Sequence, residues 1–159
     1  ATSADTAPIV ELGRVLHAES VYRGYPLDTA RVETAITEML AQPRHAALFL
    51  ACNHEGTIIG MLALRMGNLF YFDKLVAQEQ MFYVHPDWRG SSAAVKLLVA
   101  CRQWAINRGA DEILVSVNSG VGLATLPRLM RRLHFNQVGL SFSLRLEGGK
   151  AEPKMGRES

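Results

Sequence analysis

The chain has 159 residues, 48% of them hydrophobic and 20% charged, with a formal net charge of +2 at pH 7. That is the length and balance of one ordinary globular domain. The near-neutral charge shows no basic groove for nucleic acid, and no apolar run approaches a membrane-spanning length. Asp5, Glu11 and Arg14 interrupt the first apolar residues, which reads against a secretory signal. Cys52 and Cys101 lack metal-ligand or disulfide-framework spacing and read as buried, reduced thiols of a cytoplasmic protein.

Ile9, Leu12, Val15 and Leu16 fall at helical spacing and predict a first helix over 8–20. Asp28 or Thr29 can cap a second helix with Val32, Ala35, Ile36, Met39 and Leu40 inward, ended by Gln42-Pro43. Residues 46–52 form an apolar strand, 53–56 a turn, and 57–66 the returning strand, in which Gly60 can mark a bulge. A loop over 67–75 has an apolar tip, and 76–84 is a third strand. The strongest helix runs over 91–108, with Ala94, Leu97, Leu98, Cys101, Trp104 and Ala105 as one apolar stripe and Gly109 as its stop. A short strand over 112–117, a glycine-containing loop, a helix from Thr125 to about His134, and a last strand or strand pair over 136–146 follow. This order is α/β or α+β: one domain over 1–147 with a mixed, mostly antiparallel sheet flanked by helices, then a polar tail over 148–159.

Within it, Tyr83-Val84-His85-Pro86-Asp87-Trp88-Arg89-Gly90-Ser91-Ser92-Ala93-Ala94 reads as a strand, a tight turn and a small-residue entry into a helix. Backbone amides at such an entry point the same way, and the helix dipole adds positive potential. Small side chains let a ligand approach the backbone. The segment therefore suits an anionic group, most simply a phosphate.

Together, the element order and this segment resemble the GNAT superfamily of acetyl-CoA-dependent N-acetyltransferases, over about residues 8–146. The family's pyrophosphate signature is Arg or Gln, two residues, Gly, one residue, then Gly or Ala. Arg89 and Ala94 fit it, and Ser92 stands where the family has its middle glycine. Leu133-His134-Phe135 is similar to the family's Leu-Gly-Phe, with His134 for glycine.

The resemblance implies splayed central strands and acetyl-CoA as cosubstrate. It puts the diphosphate on the amides of Arg89, Gly90, Ser91, Ser92, Ala93 and Ala94, and the pantetheine between the strands ending at Val84 and Val117. Backbone groups near Phe82, Tyr83 and Val84 would pair with it, and Asn118 joins the cofactor-binding residues from the opposite strand. Acetyl transfer is then direct, in a ternary complex, to the amine of a small molecule or a protein lysine. Glu79 is the first candidate for general base, directly or through a water. The usual acidic position is one residue later, at Gln80, so Glu79 needs a bulge to face the same way. His85 is a second candidate for base, against a plain capping role.

The family's acid is a tyrosine where this chain has Met130, which cannot donate a proton. Either the thiolate leaves unaided, or Ser116, Ser119 or Tyr83 donates, or the protein is a non-catalytic acyl-CoA-binding or partner-binding module. The acceptor side would carry His17, Glu19, Tyr22, Arg23, Tyr25 and the Phe70-Tyr71-Phe72 tip. For Phe70 and Phe72 the competing readings are core packing or a homodimer interface. Arg128, Arg131 and Arg132 read as a solvated helix face or as contacts to the 3′-phosphate of CoA.

Overall fold

Consecutive hairpins build the sheet. The computed structural model describes residues 1–144, the Phe72 side chain excepted. Strands β1 (Ala46–Cys52), β2 (Ile58–Leu69) and β3 (Phe72–Val84) pair antiparallel in chain order, and β4 (Glu112–Leu114) joins β3 in parallel after a helical crossover. Helices α1 (Thr6–Glu19) and α2 (Thr29–Leu40) cover one face, and α3 (Ala93–Asn107) and α4 (Leu126–Arg132) the other. Single turns of 3₁₀ helix at Ser3–Asp5 and Pro86–Trp88 complete the described elements. No helix among the described residues is long and apolar enough to cross a membrane.

The period-two pattern of the strands sorts the core into two layers. Leu48, Met61, Ala63 and Tyr83 pack on Ile9, Leu12 and Leu16 of α1 and on Ile36 and Met39 of α2. Leu62, Leu64, Phe82 and Val84 pack on Leu97, Leu98 and Cys101 of α3. Burying each large apolar side chain contributes about 1.5–3 kcal/mol, so these two layers carry the fold. Asp28 caps α2 by accepting from the Arg31 amide at 3.0 Å, as its position predicts.

Several elements depart from their expected form. The predicted loop over 67–75 is instead the tight end of a long hairpin, with Asn68 Nδ2 donating to Asp73 Oδ1 at 3.2 Å across it. Phe70 and Tyr71 at its tip are 91% and 82% exposed, which excludes core packing for Phe70; they meet edge to face at 4.9 Å. Ala35 and Cys52, expected inside, are exposed. The bulge expected near Gly60 exists: the β1–β2 register shifts between Ala51 and Cys52, opposite Gly60 and Ile58. Gly60 itself is packed, since a Cβ there would meet the Tyr83 carbonyl oxygen at 3.1 Å and Leu97 Cδ1 at 3.2 Å. The described part of the last predicted strand, 136–144, forms no ladder with the other described strands. Its alternating Val138, Leu140, Phe142 and Leu144 stand in solvent. Residues 145 and 146 of that strand and the 148–159 tail lie outside the described residues.

The end of α4 accounts for the backbone of the Leu133-His134-Phe135 triplet. His134 N donates to Arg131 O at 3.1 Å and Phe135 N to Met130 O at 2.9 Å, the pairing of a Schellman cap. That cap puts His134 at φ 64°, the only positive φ of a non-glycine among the described residues. A glycine adopts this conformation without the Cβ clash, whereas histidine bears it at a cost. His134→Gly should therefore raise the unfolding free energy by about 0.5–1 kcal/mol in urea denaturation. A loss instead would show that the imidazole makes a compensating contact.

Candidate functional site

β3 and β4 run together for only three positions, Val76 to Gln78 against Glu112 to Leu114. Beyond them the strands part. Residues 115–117 continue outside the ladder, which is why the strand predicted over 112–117 is shorter than its apolar run. Parting leaves ladder groups in need of other partners. The Glu79 carboxylate takes one, accepting from the Ser116 amide at 3.1 Å. Arg89 takes another, its Nε donating to the Val84 carbonyl oxygen at 3.2 Å.

A second bulge sets the direction of Glu79. The β2–β3 register pairs Ala63 with Met81 but Leu64 with Glu79, so Gln80 is the extra residue. Opposite residues of an antiparallel pair share a face, and Leu64 faces α3. Glu79 therefore faces α3, and Tyr83 faces α1. In an unbroken strand Glu79 and Tyr83, four residues apart, would share a face; the extra residue separates them. At 8% exposure, burial pushes the Glu79 carboxyl up to about 7, against the pull of the Ser116 amide. Burial first, and then the charge of Glu79, also pushes the Cys101 thiol up to about 12, so it stays protonated.

Tyr83 is buried, and its hydroxyl donates to Glu19 Oε1. Burial and this carboxylate raise its pKa, so its proton is committed to Glu19. Glu19, the last residue of α1, also receives Arg89 Nη2 at 2.8 Å and 2.9 Å on its two oxygens. Partial burial opposes its charge, but the bonds from Tyr83 and Arg89 and the charges of Arg89 and His85 outweigh that and hold the carboxyl below the usual range. The Arg89 guanidinium lies 5.5 Å from the centre of the Tyr83 ring. Sequence reasoning placed Arg89 in the loop and Glu19 on the acceptor side, and missed that they meet. They are 70 residues apart, and no local pattern joins them.

The loop itself has the expected form. His85 caps its 3₁₀ turn, Nδ1 accepting from the Asp87 amide at 3.3 Å. Gly90 has φ 88° and open space where a Cβ would stand. Ser91 and Ser92 precede α3 rather than begin it, and Ser91 Oγ accepts from the Ala93 amide at 3.2 Å. Ala93 is buried and Ala94 half-buried. The first amides of a helix of this length lack intrahelical partners and carry the dipole's positive end. The amides of Arg89 and Ser91 donate to the Pro86 and Trp88 carbonyl oxygens and that of Ala93 to Ser91 Oγ, so the amides this helix start offers an anionic diphosphate are those of Gly90, Ser92 and Ala94. A cleft of about 390 Å³ opens beside them, between Phe49 and Ala51 of β1 and Trp88, Ser92 and Lys96.

The other candidates are scattered. The Phe82 and Val84 side chains are half-buried and pack against the core. Ser116 is exposed with its amide on Glu79, and Asn118 is exposed beyond β4. Met130 packs among Leu129, Leu133 and the α3 residues. Arg128, Arg131 and Arg132 are exposed on α4. Tyr22 and Tyr25 are 45% and 48% exposed beyond the end of α1.

The raised Glu79 pKa has a consequence for stability. The unfolded carboxyl loses its proton near 4.5 and the folded one near 7. The folded state thus holds the extra proton between these values, and stability falls as pH rises through that window. Glu79→Gln keeps an acceptor for Ser116 and has nothing to ionise. Its advantage over wild type should grow by about 3 kcal/mol between about pH 4 and about pH 8, read from urea denaturation. A pH-independent difference would show that Glu79 titrates normally.

Comparison with known proteins agrees with this architecture. The sequence profile of the acetyltransferase (GNAT) family matches residues 14–134. No curated protein matches the sequence. Among solved structures, an acetyltransferase of Trypanosoma brucei is 18% identical, with a TM-score of 0.67 over 92% of this chain and 96% of its own. The aminoglycoside acetyltransferase AAC(6')-Iy, in complex with a bisubstrate analogue, is 20% identical with a TM-score of 0.68, over 91% and 93%. An aminoglycoside acetyltransferase from an uncultured soil metagenomic sample, in complex with sisomicin, is 19% identical with a TM-score of 0.65, over 92% and 93%. With a matching profile over most of its length and the fold of these enzymes, the chain belongs to the GNAT family of acetyltransferases.

Proposed function

We propose that the protein transfers an acetyl group from acetyl-CoA directly to an amine, in a ternary complex. The observation that carries this reading is the parting of β3 and β4 after Gln78 and Leu114, at the end that leads into the glycine turn before α3. The loop from Arg89 to Ala94 would hold the diphosphate on the amides of Gly90, Ser92 and Ala94, and the edge of β3 from Phe82 to Val84 would pair with the pantetheine chain. Acetyl-CoA supplies an activated acyl group, whose thiolate, with a pKa of about 8.5, is a tolerable leaving group. A backbone amide at the parted edge would stabilise the developing oxyanion. Glu79, with its pKa near 7, suits a group that accepts the amine's proton through the slot at neutral pH.

Two structural relatives are aminoglycoside acetyltransferases, which puts aminoglycosides first among candidate acceptors, ahead of other small amines and protein lysines. Tyr22 and Tyr25 would offer a cation their ring faces. The non-catalytic alternative draws on Met130, which packs in the core and leaves the family's acid position without a donor.

Release of free thiol from acetyl-CoA, with sisomicin and a panel of amines, separates the two. Turnover is expected; CoA binding without turnover on any acceptor would favour the binding module. Ser92→Glu should abolish CoA binding in calorimetry while the protein stays folded, because a carboxylate at a helix start suits the dipole but repels a diphosphate. Retained affinity would remove the loop from the site. Glu79→Gln should lower kcat by roughly 10²–10⁴-fold, the range of a general base, and erase the limb of the pH profile near 7. Unchanged kcat would remove Glu79 from the role.

A further inference from the structure

We infer that Glu19 is a positioning residue for the cofactor loop, acting through Arg89; this rests on the reading that the loop holds CoA. A carboxylate as the last residue of a helix faces the negative end of the dipole, an unfavourable place unless partners compensate. Glu19 has two, each from a different part of the site: the Tyr83 hydroxyl from β3 and the Arg89 guanidinium from the loop. The one guanidinium ties three pieces of chain together. Nη2 grips both Glu19 oxygens on α1, Nε holds the Val84 carbonyl where the strands part, and its face lies over Tyr83.

Two residues further along, the chain fastens to the other side of the parted strands. Val21 N donates to Ser119 O at 2.9 Å, beyond β4, and a Cβ on Gly120 would strike Val21 Cγ1 at 2.5 Å. The end of α1 thus grips both borders of the parting strands. Glu19 is its polar contact on the loop side.

Arg89 and Glu19 keep 39% and 28% of their side chains exposed, so the pair adds little to global stability. Its effect falls on the loop. An Arg89 held at three points fixes the residue that opens the row of amides, and a loop already ordered costs less entropy when a ligand binds.

The test is CoA binding by calorimetry on the full chain. Glu19→Gln should weaken binding on the order of five- to tenfold, the scale of one charge-assisted contact, with an unchanged midpoint of thermal unfolding. Because Glu19 acts through Arg89, Glu19→Gln added to Arg89→Gln should cause no further loss. Glu19→Asp, which keeps the charge on a shorter arm, should recover part of the affinity. Equal or tighter CoA binding by Glu19→Gln would overturn the inference, the tighter result showing that Glu19 competes with CoA for Arg89. Additive losses in the double variant would overturn it as well. If Glu19→Gln fails to fold, Arg89→Gln with and without Glu19→Asp runs the same cycle. Wild-type protein that does not bind CoA would instead sink the functional reading and this inference with it, a result distinct from a loss confined to the variants.

Discussion

Two neighbouring strands that stop pairing halfway create a debt of unsatisfied backbone groups, and much of the site is organised by how this is met. β3 and β4 part after Gln78 and Leu114, and the groups beyond are too costly to leave without partners in a half-buried place. Ionisable side chains supply them: Glu79 receives the Ser116 amide, and Arg89 serves the Val84 carbonyl. Both are side chains that solvent would otherwise hold. Burial beside the opening sets the raised pKa of Glu79, whereas Arg89 stays partly exposed and is held by the Val84 carbonyl and Glu19.

The rest of the fold fixes where these side chains point. A single extra residue, Gln80, turns Glu79 towards α3 while Tyr83 keeps its place under α1. The two helical layers then pull the candidates apart. Glu79 shares its surroundings with Cys101, and Tyr83 shares Glu19 with Arg89. Two charge systems result, one on each face of the sheet.

Much of the fold was legible because its signals are local. Helical spacing in Ile9, Leu12 and Leu16, the Asp28 cap, and the apolar stripe of α3 all survive. So does the glycine turn before α3. What failed depended on partners distant in sequence. The 112–117 run is apolar enough for a strand, but pairing stops at Leu114. Val138 to Leu144 alternate as a strand should, yet among the described residues they pair with no strand. In the site, the loop was readable from its small residues, whereas the direction of Glu79 required a register that no window of sequence contains. The grip of Glu19 on Arg89 joins residues 70 apart and was beyond any motif. His134 is an instructive middle case: its substitution for glycine was visible, and the φ of 64° that makes it costly was not.

The brief ladder of β4 also bears on the order in which the molecule assembles. β1, β2 and β3 are joined by hairpins and close short loops, whereas β4 must wait for the whole of α3 to cross over. With three paired positions, it is also the strand that can detach without disturbing the hairpins. The border of the slot is therefore the least anchored part of the described sheet. A molecule filling the gap between β3 and β4 would act as the strand pairing that the chain itself leaves out.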